Sequence, residues 1–391
     1  MRIPGPGKWI AARVPWYPRK VRLAGCILLE LAAFASLLLG TGVGVYYGGR
    51  AAWERGETPA HAAHVVTAAK VPSGSRGSFE ELGLLPLERP GRIDEVPAKF
   101  PIFKGINVEY LLAPLRASPV RRVKFNRGGS SISLRIDFEG GGRAAFKPDQ
   151  TNLQTIPRKE IAAYRIDRLL GLGAVAPAIG RKFSREELFA KIDPADRGGV
   201  SRFMAEVTTD EQGMVSGELS WWIPEIVNAT ILGFQVDSVD GMVLWKRYLA
   251  AGAPMPAEAS VLLPQLSNAV AFDFLINNVD RWSGSNCKAS PDMRYLYFMD
   301  NALSFALEPQ GSLKVQTYLS RVQKFSRSLY LALKTLDQKR VVEAMTSDAA
   351  PYDRLLSERE IGAMMARRDR LVAYIDDLVA THGEDLVLVF P

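Results

Sequence analysis

The sequence predicts a two-lobed α+β fold behind one N-terminal membrane-crossing helix, and three observations predict it. Leu23 to Tyr47 is apolar apart from Glu30 and a few small polar residues. From Phe100, short alternating apolar runs are separated by glycine-rich turns, the signature of strands. Beyond about Gly217, long apolar-periodic runs read as helices.

The first 22 residues carry Arg2, Lys8, Arg13, Arg19, Lys20 and Arg22 and no acid. At about 1.5 Å per residue, 23–47 can cross a hydrocarbon core of about 30 Å. Glu30 costs up to about 3 kcal/mol, and the Leu, Ile, Val and Phe residues each return about 0.3–0.6 kcal/mol, so insertion wins. The basic head then predicts a cytoplasmic N-terminus and a folded domain on the far side. A basic head also suits nucleic acid, but the apolar run explains it better, and no nucleic-acid partner is expected. Small residues at Ala60–Ala63 leave a cleaved leader as the alternative to an anchor. The expected organisation is a head at 1–22, a span at 23–47, a linker at 48–100 rich in Gly, Pro, Ala and Ser, a first lobe at 101–212 and a second at 213–391.

Within the first lobe, VRRVKF, SISLRIDF and GRAAFKP read as three strands separated by NRGGS and EGGG turns. A helix follows from about Arg158 to Leu170, with Pro157 suiting its first turn and Gly171 ending it. RFMAEV reads as a further strand. ELSWWIPEI, the stretch from Val261 to Asn278, 321–348 and 357–380 read as helical.

The chain has 391 residues, 47% hydrophobic and 23% charged, with formal net charge +7. These are globular proportions. Of two cysteines, Cys26 falls in the apolar run, so Cys287 has no disulfide partner in the folded part. Of three histidines, His61 and His64 lie in the linker, leaving His382. A Ser-His-Asp triad, a Cys-His pair and a multi-histidine zinc site are therefore excluded as expectations. Phosphoryl transfer is a large reaction class that does without histidine.

That chemistry needs a lysine on the nucleotide phosphates, an acid to hold the lysine, a carboxylate to accept the hydroxyl proton, and oxygen ligands for a divalent cation. Lys147 ends a predicted strand, and Glu160 falls in the first turn of the following helix. Taken singly, these also read as a strand-end lysine and an acid favoured by the helix dipole. Gly128, Gly129 and Ser130, between the first two strands, could let backbone amides approach phosphate; an ordinary hairpin turn is an equal reading. AFDFLINNVDRW delivers Asp280 to the end of an apolar run, placed to take the acceptor proton, and Asn286 follows as a candidate oxygen donor to Mg²⁺ or Mn²⁺. YLYFMDN reads as a strand delivering Asp300, a candidate metal-bridging carboxylate. Asp-Arg as a surface ion pair and Asp-Asn as a turn are the plainer alternatives. Trp221, Trp222 and Trp282 suit core packing better than an acceptor groove.

In these segments the chain resembles the secretory-pathway kinases. GGRAAFKPDQ is similar to the family's strand ending in Phe-Lys-Pro, and KEIAAYRIDRLLGLGAVAPAIGR to its glutamate helix. SGELSWWIPEI resembles its Gly-Ser-Leu…Pro-Asp segment. FDFLINNVDR is similar to its catalytic element, FMDNALSF to its Asp-Asn metal element, and SRSLYLAL to the helix that follows. The resemblance covers about Gly141 to Leu336. It implies a bilobal protein-kinase-like fold, with Lys147 and Glu160 as the nucleotide pair, Asp280 as catalytic acid/base and Asp300 as metal ligand. It also implies ATP with manganese or magnesium, a protein or glycan acceptor, a non-cytoplasmic location, and a homo- or heterodimer with a related kinase. The pseudokinase alternative, binding nucleotide or a partner kinase without catalysis, stays open. Departures are Trp282-Ser283 where the family has His-His, a shorter Gly/Ser-rich segment after it, and absence of the disulfide-forming cysteines.

Overall fold

The computed structural model describes residues 102–127, 129–283 and 285–391. The basic head, the apolar run at 23–47, the linker and Gly128 lie outside the described residues. Among the described residues no helix is long and apolar enough to cross a membrane.

A short hairpin, β1 (Ile102–Phe103) and β2 (Ile106–Asn107), leads into α1 (Val108–Ala117). Asn107 caps α1, its side chain accepting from the Glu109 amide at 2.9 Å, which satisfies one of the free amides of the first turn. The first lobe is built on a five-stranded antiparallel sheet. In sequence order its strands are β3 (Val120–Phe125), β4 (Leu134–Phe138), β5 (Arg143–Pro148), β6 (Ala178–Ser184) and β7 (Met214–Trp221); in space the order is β3-β4-β5-β7-β6. Alternation sets its faces: in β5, Ala144 and Phe146 are buried while Ala145 and Lys147 turn to the other side.

Between β5 and β6 lies α2 (Pro157–Leu170). Pro157 sits in its first turn, where a missing N–H costs nothing. Gly171 stops it with φ +70°, its amide returning to the Arg168 and Asp167 carbonyls. Two short helices, α3 (Arg185–Ala190) and α4 (Val200–Glu206), fill the gap between β6 and β7.

The second lobe gathers α5 (Val239–Tyr248), α6 (Leu262–Ile276), α7 (Leu313–Leu319), α8 (Arg327–Thr335), α9 (Gln338–Thr346), α10 (Glu358–His382) and α11 (Glu384–Val387). Its strands are two-residue pieces: β8 (Val227–Asn228), β9 (Thr230–Ile231), β10 (Phe234–Gln235), β11 (Lys288–Ala289) and β12 (Leu296–Tyr297). Apolar nearly all round, α6 is buried along almost its whole length. Each fully buried Leu, Ile or Phe there contributes about 1.5–3 kcal/mol. It ends at Asn277 in the left-handed region, φ +54°, and turns the chain toward Asp280.

Several expectations are corrected. ELSW (218–221) belongs to β7, a strand and not a helix, because its neighbours β5 and β6 pair it on both sides. The lobe boundary expected at 212–213 therefore moves past Trp221. RFMAE (202–206) is helical, within α4, and only Val207 after it is extended. The single helix expected over 321–348 is two, broken where Asp337 caps α9 by accepting from the Arg340 amide at 2.8 Å. YLYFMDN holds only the two strand residues of β12.

Candidate active site

Lys147 emerges from β5, across the ladder from Glu218 on β7. Its Nζ donates to Glu160 Oε1 at 2.5 Å and to Asp300 Oδ1 at 2.6 Å. Glu160 comes from the first turn of α2, and Asp300 from the second lobe, just after β12. Three of the residues singled out in the sequence thus touch, and they do so across the two lobes. Burial alone would lower the Lys147 ammonium. The charges of Glu160, Asp300 and Glu218 outweigh it and hold the group well above its ordinary value. Lys147 in turn holds the half-exposed Asp300 carboxyl below its ordinary value. Asp300 occupies the left-handed region, φ +54°, a backbone conformation that short polar side chains tolerate.

Asp280 is half-buried at the end of the segment that follows α6. Its backbone amide donates to Asn278 Oδ1 at 3.0 Å, and Asn278 Nδ2 donates to the Asp300 carbonyl at 3.1 Å. One side chain therefore joins the two aspartates. The Asp280 carboxylate is oriented from both sides: Oδ1 accepts from Ser283 Oγ at 3.2 Å and Oδ2 from Asn286 Nδ2 at 3.0 Å. Asn286 therefore stands against Asp280, with its amide nitrogen engaged.

The loop carrying Gly129 and Ser130 opens at the Lys147 end of the sheet, since Leu134 pairs with Phe146. Gly129 takes φ +81°, a conformation that favours glycine. The Ser130 carbonyl accepts from Asn152 Nδ2 at 3.2 Å and Arg202 Nη2 at 2.5 Å, and Gln150 clasps Ile132 through both its backbone groups. The loop is thus pinned to the segment after β5 and to α4, while Ser130 stays exposed. Trp282 is buried; its ring lies 5.2 Å from Tyr318 and 5.5 Å from Trp245, and Nε1 donates to Asp273 at 3.0 Å. It is a core residue.

Sequence reasoning missed Glu218. It is 2% exposed, and one carboxylate oxygen has no hydrogen-bond partner among the described residues. Burial, reinforced by the nearby Glu160 charge, pushes it up to about 8. Reading ELSWW as helical hid its position opposite Lys147. A signal existed: Gly217-Glu218-Leu219 stands where the resembling family has Gly-Ser-Leu. A cavity of about 340 Å³ opens on the rear of α2, lined by Arg116, Tyr164, Arg168 and Asp348 among others, and shares no residue with the Lys147 site.

No family model matches the chain. It is 23% identical to the mouse pseudokinase FAM20A over 305 residues, 66% of this chain and 56% of that protein. It is 22% identical to the human extracellular serine/threonine protein kinase FAM20C over 272 residues, 59% of this chain and 46% of that protein. The human glycosaminoglycan xylosylkinase matches at 22% over 302 residues, 67% of this chain and 72% of that protein. The chain is thus similar in sequence to kinases and a pseudokinase of the secretory pathway. It spans about half the length of the first two of these relatives. In fold it matches the Golgi casein kinase with Mn/ADP bound, TM-score 0.56 and 19% identity over 72% of this chain and 78% of that one. It also matches hydra Fam20 with sugar, TM-score 0.53 and 16% identity over 72% and 91%. The strand-rich first lobe and helical second lobe are thus the kinase-like fold of these proteins.

Proposed function

We propose that the chain is a kinase that uses ATP and Mn²⁺ or Mg²⁺ to phosphorylate a hydroxyl of a protein or glycan. The observation that carries this reading is Lys147 held at 2.5 and 2.6 Å by acids from two different lobes. In that role the Lys147 ammonium holds phosphate oxygens, and Glu160 keeps the lysine extended from β5. Asp280 takes the proton of the acceptor hydroxyl as that oxygen bonds to phosphorus and the bridging oxygen of the nucleotide departs. Ser283 and Asn286 fix the carboxylate that receives it.

Among the described residues no three His, Cys, Asp or Glu side chains are close enough to hold a cation by themselves. The donors still fit a phosphate-bound cation. Mg²⁺ and Mn²⁺ are satisfied by one or two carboxylates together with phosphate oxygens and water, and Asp300 is half-exposed beside Lys147. Asn286 can add an oxygen only if its amide turns from Asp280. When bound, the cation supplies neutralisation of charge on the phosphates. The relatives support this reading: one structure of similar fold carries Mn and ADP, and two curated relatives are named as kinases.

The test is phosphoryl transfer to water or to the protein itself, with Mn²⁺ or Mg²⁺, by the full chain in detergent. Asp280→Asn should lose at least about 100-fold in rate while still binding nucleotide. Equal rates in wild type and variant would sink the active-kinase reading. The second reading, a pseudokinase that binds nucleotide or a partner kinase as a dimer, is favoured by the similarity to a protein named as a pseudokinase and by Trp282 packing in the core where the family has histidine. A nucleotide-dependent rise in Tm without turnover would support it.

The location belongs to the same proposal: 23–47 anchors the chain in a membrane, with the kinase lobes on the non-cytoplasmic side. A reporter fused to the C-terminus that is active only in the cytoplasm should stay silent.

A further inference from the structure

We propose that Asn301 is the positioning residue that ties the Lys147–Glu160 pair of the first lobe to the Asp280 segment of the second; the role rests on the kinase reading above. Asn301 is fully buried. Its Oδ1 accepts from Arg281 Nη2 at 2.8 Å and from Asn278 Nδ2 at 3.2 Å. Its backbone N–H and Nδ2 both donate to Glu160 Oε2, at 2.9 and 3.2 Å, and Nδ2 also donates to the Phe298 carbonyl at 3.0 Å. The amide can face only one way. A guanidinium has donors alone, so Oδ1 must meet Arg281, and a carboxylate has acceptors alone, so Nδ2 must meet Glu160.

Both ends of this link are fixed. Arg281, itself fully buried, donates from Nε to both oxygens of Asp273 at 2.8 and 2.9 Å and from Nη1 to the Met299 carbonyl at 2.7 Å. Asn278 holds the Asp280 amide. Glu160 Oε1 holds Lys147 while Oε2 is taken by Asn301, so each carboxylate oxygen faces one lobe. The path from Lys147 to Asp280 runs through Glu160, Asn301 and Asn278 with a hydrogen bond at every step. Without the Asn301 side chain, Glu160 Oε2 keeps the backbone N–H but loses the Nδ2 bond, in a place where Glu160 is only 7% exposed. The carboxylate then fixes the lysine less firmly.

Two variants test this in the full chain. Asn301→Ala removes both side-chain functions. Asn301→Leu keeps the volume without either polar function and adds no charge beside Glu160, which makes it informative should the alanine variant leave a cavity and not fold. The first readout needs no nucleotide: the rate at which an amine-acylating reagent labels Lys147, followed by peptide mass spectrometry below Tm. Loosening of the Glu160 bond should leave Lys147 Nζ free to meet the reagent and speed labelling by about tenfold. The second is the split between the nucleotide KM and kcat. KM should rise by about tenfold in either variant, and the rise should shrink in a Glu160→Gln background because both changes remove the same contact.

Labelling and KM unchanged in a folded variant, or effects that simply add to those of Glu160→Gln, overturn the role of Asn301 and leave the kinase reading standing. Faster labelling in a chain whose wild type binds no nucleotide supports the tie and overturns the kinase reading instead.

Discussion

Lys147 shows how charge count beats burial. A lone lysine at this depth would favour its neutral form, but Glu160 and Asp300, both in contact with it, keep it charged. Lys147→Ala leaves those acids facing one another. It should weaken nucleotide binding by roughly 10- to 100-fold, measured as the Kd for a slowly hydrolysed ATP analogue with Mg²⁺, as expected for loss of one or two charge-assisted bonds of about 1.5–3 kcal/mol. Glu218 carries a pH prediction. Its ordinary value is 4.5 and the fold raises it to about 8, so between those limits the folded state binds more protons than the unfolded chain. Stability then falls as pH rises through that window. Glu218→Gln abolishes this slope. Melting curves of the two proteins should diverge from pH 5 to pH 8, with the variant on the order of a few degrees more stable at the upper end. Parallel curves would mean that Glu218 does not hold its proton.

At the scale of elements, α2 does more than present Glu160. Arg158 binds Glu360 through Nη1 and Nη2 at 3.1 and 3.2 Å, and Lys159 Nζ donates to the Ser304 carbonyl at 2.6 Å. Arg165 donates to the Ala344, Ser347 and Asp348 carbonyls. The polar face of the helix is therefore bolted to the second lobe between α9 and α10. Glu360 serves twice, since it also closes the capping box of α10 with Ser357. Glu360→Ala should cost about 2–4 kcal/mol in urea unfolding: a broken ion pair that is buried on one side, plus a lost cap of about 1 kcal/mol. It should also raise the nucleotide Kd, because Glu160 rides on the same helix.

The limits of α2 were legible in its sequence, as Pro157 and Gly171 are local signals. Its second job was not, because Glu360 lies far along the chain and no local pattern announces a partner at that distance. β7 failed for a different reason. Its residues alternate weakly, and pairing by β5 and β6 on both sides made it a strand regardless.

At the scale of the whole molecule, the second lobe is organised around buried charge as well as apolar packing. Asp273 lies inside α6, where burial pushes it up to about 6 even with Arg281 against it. Arg367 on α10 reaches the Leu275 carbonyl at 2.8 Å and the Glu308 carbonyl at 2.7 Å. Asp273→Ala strands a fully buried guanidinium and should cost about 3–5 kcal/mol. It should shift the urea midpoint for the whole protein, since Arg281 also anchors Asn301. Loss of nucleotide binding at unchanged stability would contradict that structural part.

What the sequence determined by itself was the first three strands of the sheet, the limits of α2 and the chemical kinds of the candidate site residues. Turn residues and periodicity are local, and the scarcity of histidine left acids, a lysine and amides to do the chemistry. Only the tertiary structure decided which of them meet. Lys147, Glu160 and Asp300 come together, Asn301 joins the lobes and Glu218 stands opposite the lysine. Contacts between distant segments depend on how two lobes pack, and that is a property of three-dimensional burial which no short stretch of chain contains.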